Sequence, residues 1–200
     1  MTPLCELAKK YQTDKGGEHL IYGGVPGDTC HNYTPAYYEL FKGRQNDVRR
    51  VLEIGVNAGG SLRMWEEFFP NAYIVGLDIR PEVLFDVGRI RGFVADQGNE
   101  ESLLQVMEKT GYSQYDLIVD DGSHEFHHQI LSARTLLPFL GPEGIYVIED
   151  IHIDCKPEIV MDQIPPEYVC EAIECPNGIG KAKCGCGCGG PENLIVIRRR

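Results

Sequence analysis

The sequence predicts an α/β domain with a doubly wound, mostly parallel sheet of about seven strands. Between residues 51 and 150, short β-rich runs alternate with helical patterns, which is typical of parallel strands joined by crossover helices. After residue 150, two further β-rich runs flank a loop rich in glycine and cysteine, which indicates an antiparallel hairpin. Together these observations predict a Rossmann-like sheet that a C-terminal hairpin completes.

The strands are predicted from short apolar runs that are bounded by turn residues. The five parallel strands are expected at 51–54, 73–77, 92–95, 115–119 and 145–148. The hairpin strands are expected at 168–173 and 194–197. Between the strands, apolar residues repeat at the spacing of one helical face and predict crossover helices packed on a core. These residues are Leu62, Trp65 and Phe69, then Leu103, Leu104, Val106 and Met107, and finally Ile130, Ala133 and Leu137.

The size of the chain fits a single domain, residues 1–200. A chain of 200 residues with 42% hydrophobic content can bury one full core. We expect residues 1–45 to form a cap or lid and residues 46–150 to form the ligand-binding core. Residues 151–200 are expected to supply a loop and the final hairpin.

The charge and the hydropathy pattern exclude two classes of partner. The 30 acidic and 19 basic residues give a formal charge of -11, which repels a phosphate backbone, so no nucleic acid is expected to bind. The first 15 residues contain no apolar signal segment, and no apolar run approaches the roughly 20 residues that span a bilayer. We therefore expect a soluble, cytoplasmic protein without a membrane partner.

Three of the eight cysteines, Cys184, Cys186 and Cys188, alternate with glycines. Thiolates at such positions can bind Zn²⁺ or Cu⁺, so one alternative is a metal-binding protein built on this cluster. The run lacks the paired spacing of common zinc modules, however. The other interpretation is a hairpin loop whose thiols are incidental.

A glycine-rich turn follows the first predicted strand and leads into a helix. The turn contains Glu53, Gly55, Asn57, Gly59 and Ser61. Its glycines let the backbone approach a ligand, and the helix amides face the anionic end of that ligand. Because many nucleotide-binding proteins share this pattern, the turn predicts a cofactor site without identifying the cofactor.

Polar residues also follow the second and third predicted strands. Asp78 lies 23 residues after Gly55, a position from which a carboxylate can bind the hydroxyl pair of a ribose. Asp96 and Gln97 follow the third strand and could bind an adenine edge. The alternatives are that Asp78 caps a helix before Pro81 and that Asp96 is a turn residue.

The fourth and fifth predicted strands end in the most informative residues. Asp120, Asp121 and His124 follow the fourth strand, and Glu149 and Asp150 follow the fifth. Carboxylates at neighbouring strand ends repel one another unless a cation or protons intervene, and oxygen ligands favour Mg²⁺, Mn²⁺ or Ca²⁺ over zinc. The sequence therefore predicts a hard-metal site. The alternative is that Asp120 and Glu149 cap the next elements, with His124 as a turn or packing residue.

Several motifs of this chain occur together in one known family. They are LEIGVNAGGSLRMWEEFFPNAYIVGLDI, the DQ after the third strand, DDGSH, YVIED, and an upstream segment with Tyr11, Thr13, Asp14, Lys15, His31, Tyr33, Thr34 and Tyr38. In these motifs the sequence resembles the bacterial sugar O-methyltransferases of macrolide biosynthesis, with rhamnosyl O-methyltransferases and cephalosporin hydroxylase-like proteins as relatives. The resemblance covers roughly residues 7 to 150. It implies a class I S-adenosylmethionine-dependent fold and metal-dependent methylation of a sugar hydroxyl.

The resemblance also implies roles for individual residues. The implied S-adenosylmethionine-binding residues are Glu53, Gly55, Asn57, Gly59, Ser61, Asp78, Asp96, Gln97 and Asp120. The implied ligands of Mg²⁺, or of another divalent cation, are Asp121, Glu149 and Asp150. His124 matches the proposed general base and would act in catalysis with Asp121. The implied acceptor is a saccharide or a glycosylated small molecule bound near the C-terminal loop, and the implied assembly is a homo-oligomer.

An NAD-dependent oxidoreductase is the main alternative enzyme, because a glycine-rich turn followed by an acidic residue is common to both classes. Asn57 stands where the dinucleotide fingerprint has its second glycine. That glycine admits a pyrophosphate, which S-adenosylmethionine lacks. Asn57 therefore favours the methyltransferase.

Overall fold

The computed structural model describes residues 1–16, 21–22, 25–26, 31–151, 157–175 and 192–200. Its main sheet has seven strands in the spatial order β3-β2-β1-β4-β5-β7-β6. These strands are β1 (Arg50–Ile54), β2 (Tyr73–Asp78), β3 (Ile90–Val94), β4 (Tyr115–Asp120), β5 (Leu140–Ile148), β6 (Tyr168–Cys175) and β7 (Glu192–Arg199). Strands β1 to β5 are parallel, and β7 pairs antiparallel with both β5 and β6. The predicted fold class and the C-terminal hairpin are thus confirmed.

Helices cover both faces of the sheet. They are α1 (Pro3–Tyr11), α2 (Thr34–Phe41), α3 (Gly60–Phe68), α4 (Glu100–Thr110), α5 (Phe126–Leu136) and α6 (Pro157–Met161). Two 3₁₀ turns, Pro81–Val83 and Leu137–Phe139, and a small antiparallel ribbon of Ile21–Tyr22 with Val25–Pro26 complete the described elements. No helix within the described ranges is long and apolar enough to cross a membrane.

The alternation of side chains along each strand divides the core into two layers. Val51 of β1 packs in the layer with α1, α2 and α3, whereas its neighbour Leu52 packs in the layer with α4 and α5. Successive side chains of a strand point to opposite faces of a sheet, so apolar residues at every position are needed when both faces are covered. This explains why most positions of the parallel strands are apolar in the sequence.

Helix α4 shows how local chemistry sets the bounds of an element. The side chain of Asn99 accepts a hydrogen bond from the Ser102 amide and caps the first turn. Gly111 ends the helix with a φ of +65°, a conformation that suits glycine. Leu103 is fully buried, but Leu104, which was expected in the core, is 41% exposed because it lies off the buried face.

Strand β5 is longer than the sequence predicts. It begins at Leu140 rather than at residue 145, because Leu140 pairs with Tyr115 at the start of β4. The register then shifts between Tyr115 and Leu117, and the irregularity admits Gly141 and Pro142. Pro138 lies before the strand, in a 3₁₀ turn.

The described part of the N-terminal segment packs into the core. Tyr37 and Phe41 of α2 are fully buried in the same layer as Trp65 of α3. After α1, the carbonyl oxygen of Lys15 accepts hydrogen bonds from the amides of Tyr33, at 2.8 Å, and Thr34, at 3.1 Å. These hydrogen bonds join the segment after α1 to the start of α2, and they place the Lys15 side chain near the carboxyl ends of the strands.

Candidate active site

A cavity of about 440 Å³ lies at the carboxyl ends of β1 to β4, where open parallel sheets bind ligands. Its volume is in the range of roughly 300–1,000 Å³ that small-molecule sites occupy. Among the residues predicted from the sequence, those that line it are Gly55, Asn57, Ser61, Asp78, Asp96, Gln97, Asp121, His124 and Asp150. The strand ends therefore gather most of the predicted site around one space.

The turn after β1 depends on a close approach between two strand ends. Gly55 has a φ of +93°, and a Cβ atom there would lie 2.0 Å from the carbonyl oxygen of Asp121. Asn57 has a φ of +46°, in the left-handed region that asparagine tolerates better than most residues. Gly59 does not line the cavity and instead forms the N-cap of α3. Glycine at position 55 thus allows the ends of β1 and β4 to lie close together at the same cavity.

Asp78 at the end of β2 is held by several donors. Its Oδ2 accepts from the amide of Val56 at 3.0 Å, and its Oδ1 accepts from the amide of Arg80 at 3.0 Å. Burial alone would raise the pKa of Asp78, but the hydrogen bonds from Arg80 and from the Val56 and Asn57 amides outweigh burial and lower this pKa. Asp78 is therefore an ionised, oriented carboxylate at the cavity wall, and it does not cap the 3₁₀ turn at Pro81.

Gln97, at the cavity wall, is hydrogen-bonded to Asp120, which lies behind it in the core. The Gln97 amide nitrogen donates to Asp120 Oδ1 at 2.6 Å, and the Gln97 amide oxygen accepts from the Ser123 amide at 2.9 Å. Asp120 is fully buried and also accepts from the hydroxyls of Ser132 and Tyr146. Asp120 therefore supports the turn after β4 from inside the core and does not line the cavity.

One ammonium group, Lys15 Nζ, lies among three carboxylates. It is 2.6 Å from Glu149 Oε2 and 3.2 Å from Glu53 Oε1, and it donates to Asp121 Oδ2. Burial alone would lower the pKa of Lys15, but the charges of Asp121, Glu149 and Glu53 outweigh burial and raise this pKa well above its usual value. The ammonium group stays protonated, so it is a permanent internal cation.

Glu53 and Glu149 support the cavity without lining it. Each is at most 1% exposed. The second oxygen of Glu149 accepts from the Tyr37 hydroxyl, and the second oxygen of Glu53 accepts from Ser61 Oγ at 2.8 Å. Burial raises the pKa of both carboxyl groups despite the opposing effect of Lys15. In this structure both oxygens of Glu149 are bonded within the protein, and its role as a metal ligand stays a prediction.

Asp150 is held from the other side of the site. His31 Nδ1 is 3.0 Å from Asp150 Oδ1, and the Tyr33 hydroxyl donates to the same oxygen. Burial would raise the pKa of Asp150, but the bonds from His31 and Tyr33 and the nearby His124 outweigh it and hold this pKa far below its usual range. Asp150 is therefore an ionised carboxylate.

His124 completes a group of three possible ligands. One ligand atom each from Asp121, His124 and Asp150 lie within 4.8 Å of one another. His124 and Asp150 have φ values of +58° and +51°, and non-glycine residues in this region cost roughly 1–3 kcal/mol each. Such strain concentrates at functional sites, because surrounding contacts must hold it in place.

The charge and the donor types of this group fit a divalent cation. Glu53, Asp121, Glu149 and Asp150 bring four negative charges against the single positive charge of Lys15, a formal sum of -3 when all are ionised. Lys15 supplies one cation of the kind that the sequence predicts between these carboxylates, and the metal ion stays a prediction. The carboxylate oxygens of Asp121 and Asp150 are donors that suit a hard cation.

Four residues that shape the site were not assigned a role from the sequence: Lys15, His31, Tyr33 and Tyr37. Lys15, His31 and Tyr33 lie in the upstream segment that resembles the known family. The excess of carboxylates at the strand ends was a signal that a buried basic residue was needed elsewhere in the chain. Cys184, Cys186 and Cys188 lie outside the described residues, so the interpretation of that cluster stays a prediction.

No family model matches this chain. Curated relatives do match it. The mycinamicin VI 2''-O-methyltransferase of Micromonospora griseorubida is 39% identical over 155 residues, which are 74% of this chain and 36% of the relative. The 8-demethyl-8-alpha-L-rhamnosyl tetracenomycin-C 2'-O-methyltransferase of Streptomyces olivaceus is 34% identical over 161 residues, 77% of this chain and 39% of the relative. The chain thus spans little more than a third of the length of these relatives.

Solved structures of methyltransferases are also similar to this chain. The MycE methyltransferase of the mycinamycin pathway, in complex with Mg and SAH, has a TM-score of 0.61 at 39% identity over 74% of this chain and 37% of that chain. Human methyltransferase-like protein 13, in complex with SAH, has a TM-score of 0.57 at 14% identity over 85% of this chain and 82% of that chain, which supports the fold alone. Over about three quarters of its length, this chain is therefore related in sequence and in fold to the sugar O-methyltransferases that its motifs resemble.

Proposed function

We propose that this chain carries the catalytic domain of an S-adenosylmethionine-dependent O-methyltransferase that uses a divalent cation and methylates a sugar hydroxyl. The observation that carries the proposal is that potential ligand atoms of Asp121, His124 and Asp150 lie within 4.8 Å of one another and that all three residues line the same cavity as the glycine-rich turn. A methyl donor in that cavity would lie beside a cation and a base. The names of the relatives, and the Mg and SAH in the MycE complexes, support this proposal.

Residues at the ends of β1, β2 and β3 would hold the cofactor. The cavity has room for a nucleoside-sized ligand, and the oriented carboxylate of Asp78 at its wall can accept hydrogen bonds from ribose hydroxyls. Asp96 lies at the same cavity, with Oδ1 already accepting from the Gly98 amide at 2.8 Å. S-adenosylmethionine, when bound, supplies a methyl group on a positively charged sulfur.

Asp121 and Asp150 would hold the cation, and Glu149 is a further predicted ligand. Carboxylate oxygens are the donors that Mg²⁺ and Mn²⁺ prefer, whereas imidazole suits softer metals. We therefore assign the two aspartates to the cation and leave His124 for proton transfer. A divalent cation, when bound there, supplies positive charge that lowers the pKa of a nearby hydroxyl and stabilises its ionised oxygen.

His124 would accept the proton of the acceptor hydroxyl. Its side chain is 40% exposed at the cavity, and its Nδ1 atom is 3.8 Å from Asp150 Oδ2. A neighbouring carboxylate stabilises the imidazolium that forms when the ring takes up a proton. A sugar hydroxyl is nearly as weak an acid as water, so a positioned base is needed for reaction near neutral pH.

The proposed acceptor is a saccharide-bearing small molecule. The relatives act on glycosylated compounds by their names, such as the rhamnosyl tetracenomycin. The formal charge of -11 argues against a nucleic-acid acceptor, because the surface repels phosphates. The NAD-dependent alternative has less support, because the matched relatives are methyltransferases.

Two measurements test the proposal. Titration calorimetry with S-adenosylhomocysteine and with NAD⁺ should show binding of the first ligand only. Methyl transfer to a panel of glycosylated small molecules should stop when a chelator is added in excess and should return with Mg²⁺. Binding of NAD⁺ without S-adenosylhomocysteine would refute the cofactor assignment, and full turnover in excess chelator would refute the cation.

A further inference from the structure

Asp121 belongs to two groups of residues at once. Its Oδ2 atom accepts a hydrogen bond from Lys15 in the buried cluster with Glu53 and Glu149. The same residue contributes a ligand atom to the group with His124 and Asp150. Within the described residues, the Asp121 side chain accepts its hydrogen bond through Oδ2, so Oδ1 is the candidate ligand atom.

The backbone around Lys15 is fixed, so its ammonium group has a defined place. The residue is 1% exposed, and its carbonyl oxygen accepts from the amides of Tyr33 and Thr34. Gln12, three residues earlier, ends α1 in the left-handed conformation and turns the chain toward the site. A buried lysine with an ordered backbone loses most of its rotamer freedom on folding, which has an entropic cost. Strong contacts must offset that cost, and three carboxylates provide them.

The carboxylates in turn depend on Lys15. Unpaired carboxylates in a buried site either take up protons or move apart, because burial disfavours their charged forms. Glu53 and Glu149 have a direct positive partner in Lys15, and Asp121 shares it. Without the ammonium group, nothing in this cluster would hold Asp121 Oδ2 in its present place.

We propose that Lys15 is a positioning residue that orients Asp121 for the divalent cation. Its ammonium group gathers the buried carboxylates before the ion binds and leaves one oxygen of Asp121 available as a ligand. Residues that orient metal ligands in this way typically contribute 10- to 100-fold to metal affinity, roughly. This inference rests on the proposed function, because it assigns Asp121 to the cation.

The experiment must separate positioning from charge. Lys15→Met alone adds one net negative charge to the cluster. That charge attracts a cation and would mask the weaker Mn²⁺ binding that is expected when Asp121 is no longer oriented. The double variant Lys15→Met/Glu53→Gln keeps the formal charge of the wild type, and Glu53 does not line the cavity. Glu53→Gln alone controls for the second change. Lys10→Met controls for loss of a lysine, because Lys10 forms its ion pair with Glu67 at the surface.

Mn²⁺ affinity, measured by electron paramagnetic resonance without acceptor or turnover, is the readout. We expect the double variant to bind Mn²⁺ about 10- to 100-fold more weakly than the wild type. Lys10→Met should stay within about 3-fold, because its ion pair with Glu67 lies at the surface. Glu53→Gln removes one negative charge but keeps the bond between Lys15 and Asp121, so it should weaken Mn²⁺ binding less than the double variant does.

Equal Mn²⁺ affinity in the double variant and the wild type would overturn the role of Lys15 and leave the proposed function standing. If the wild type binds S-adenosylhomocysteine but no Mn²⁺, the cation is wrong in the proposed function and this inference falls with it. If the double variant does not fold, Lys15→Gln/Glu53→Gln is measured in its place, since it keeps the formal charge of the wild type and a polar side chain at position 15. Wild-type Mn²⁺ affinity in that variant would overturn the role of the ammonium group.

Discussion

Replacing Gly55 with alanine tests whether the close approach of β1 and β4 builds the site. The added Cβ atom would lie 2.0 Å from the Asp121 carbonyl oxygen and 2.7 Å from its carbonyl carbon. Such contacts below 3.0 Å essentially do not occur, so the two backbones would have to separate by about 1 Å. The displaced residue, Asp121, is the one that joins the Lys15 cluster to the proposed cation site.

The expected cost has two parts. An alanine in the left-handed region costs about 1–2 kcal/mol, and overpacking against a rigid neighbour adds about 1–3 kcal/mol. Gly43→Ala is the matched control, because Gly43 has a φ of +81° and its Cβ would meet nothing within 4 Å. For a domain of this size, each kcal/mol lowers the melting temperature by about 2–4 °C. We expect a loss of about 4–20 °C for Gly55→Ala and about 2–8 °C for Gly43→Ala.

Thermal unfolding followed by circular dichroism, together with Mn²⁺ titration of the folded proteins, measures both consequences. Gly43→Ala should bind Mn²⁺ as the wild type does, whereas Gly55→Ala should bind it more weakly because Asp121 has moved. If the two variants lose the same stability and keep the same Mn²⁺ affinity, the contact at position 55 does not build the site, and the reasoning is wrong.

Three further predictions concern single side chains of the site. His124→Ala should lower turnover by about 10²-fold or more while S-adenosylhomocysteine affinity stays near normal, and unchanged turnover would remove His124 from the mechanism. His127→Ala is the control, because His127 is exposed and does not line the cavity. Asp78→Asn should weaken S-adenosylhomocysteine binding by roughly 10- to 100-fold in calorimetry, the value of a hydrogen bond to a charged group, and unaltered affinity would contradict the ribose assignment. Tyr33→Phe removes a hydroxyl that donates to Asp150 and should weaken Mn²⁺ binding by about 10-fold, so wild-type affinity would show that this bond does not orient the ligand.

The local sequence was sufficient for the elements and for the residues at strand ends. The strands of the sheet lie where short apolar runs predict them, since a strand covered on both faces is mostly apolar. The start of β5 was missed because it depends on pairing with Tyr115, a partner distant in sequence. Leu104 was misplaced because a single position on a helix can follow an apolar pattern and still face away from the sheet.

Which predicted residues touch the cavity could be decided only by the fold. Gln97 and Asp78 line it, but Asp120, in an equally informative motif, bonds to Ser132 and Tyr146 inside the core. Position at the end of a strand places a residue near the ligand edge of the sheet. The direction of its side chain depends on partners contributed by other elements.

From the sequence alone follow the fold class, the set of acidic residues at the ends of the parallel strands, and the kinship with sugar O-methyltransferases. Only the tertiary structure decided how those acidic residues are balanced and which of them face outward. Lys15 meets Glu149 across 134 positions of the chain, and Tyr33 and Tyr37 reach Asp150 and Glu149 from the same N-terminal segment. Hydrophobic periodicity in the sequence indicates which face of an element is buried. The pairing of buried charges depends instead on segments that are distant in the sequence and packed together in the fold.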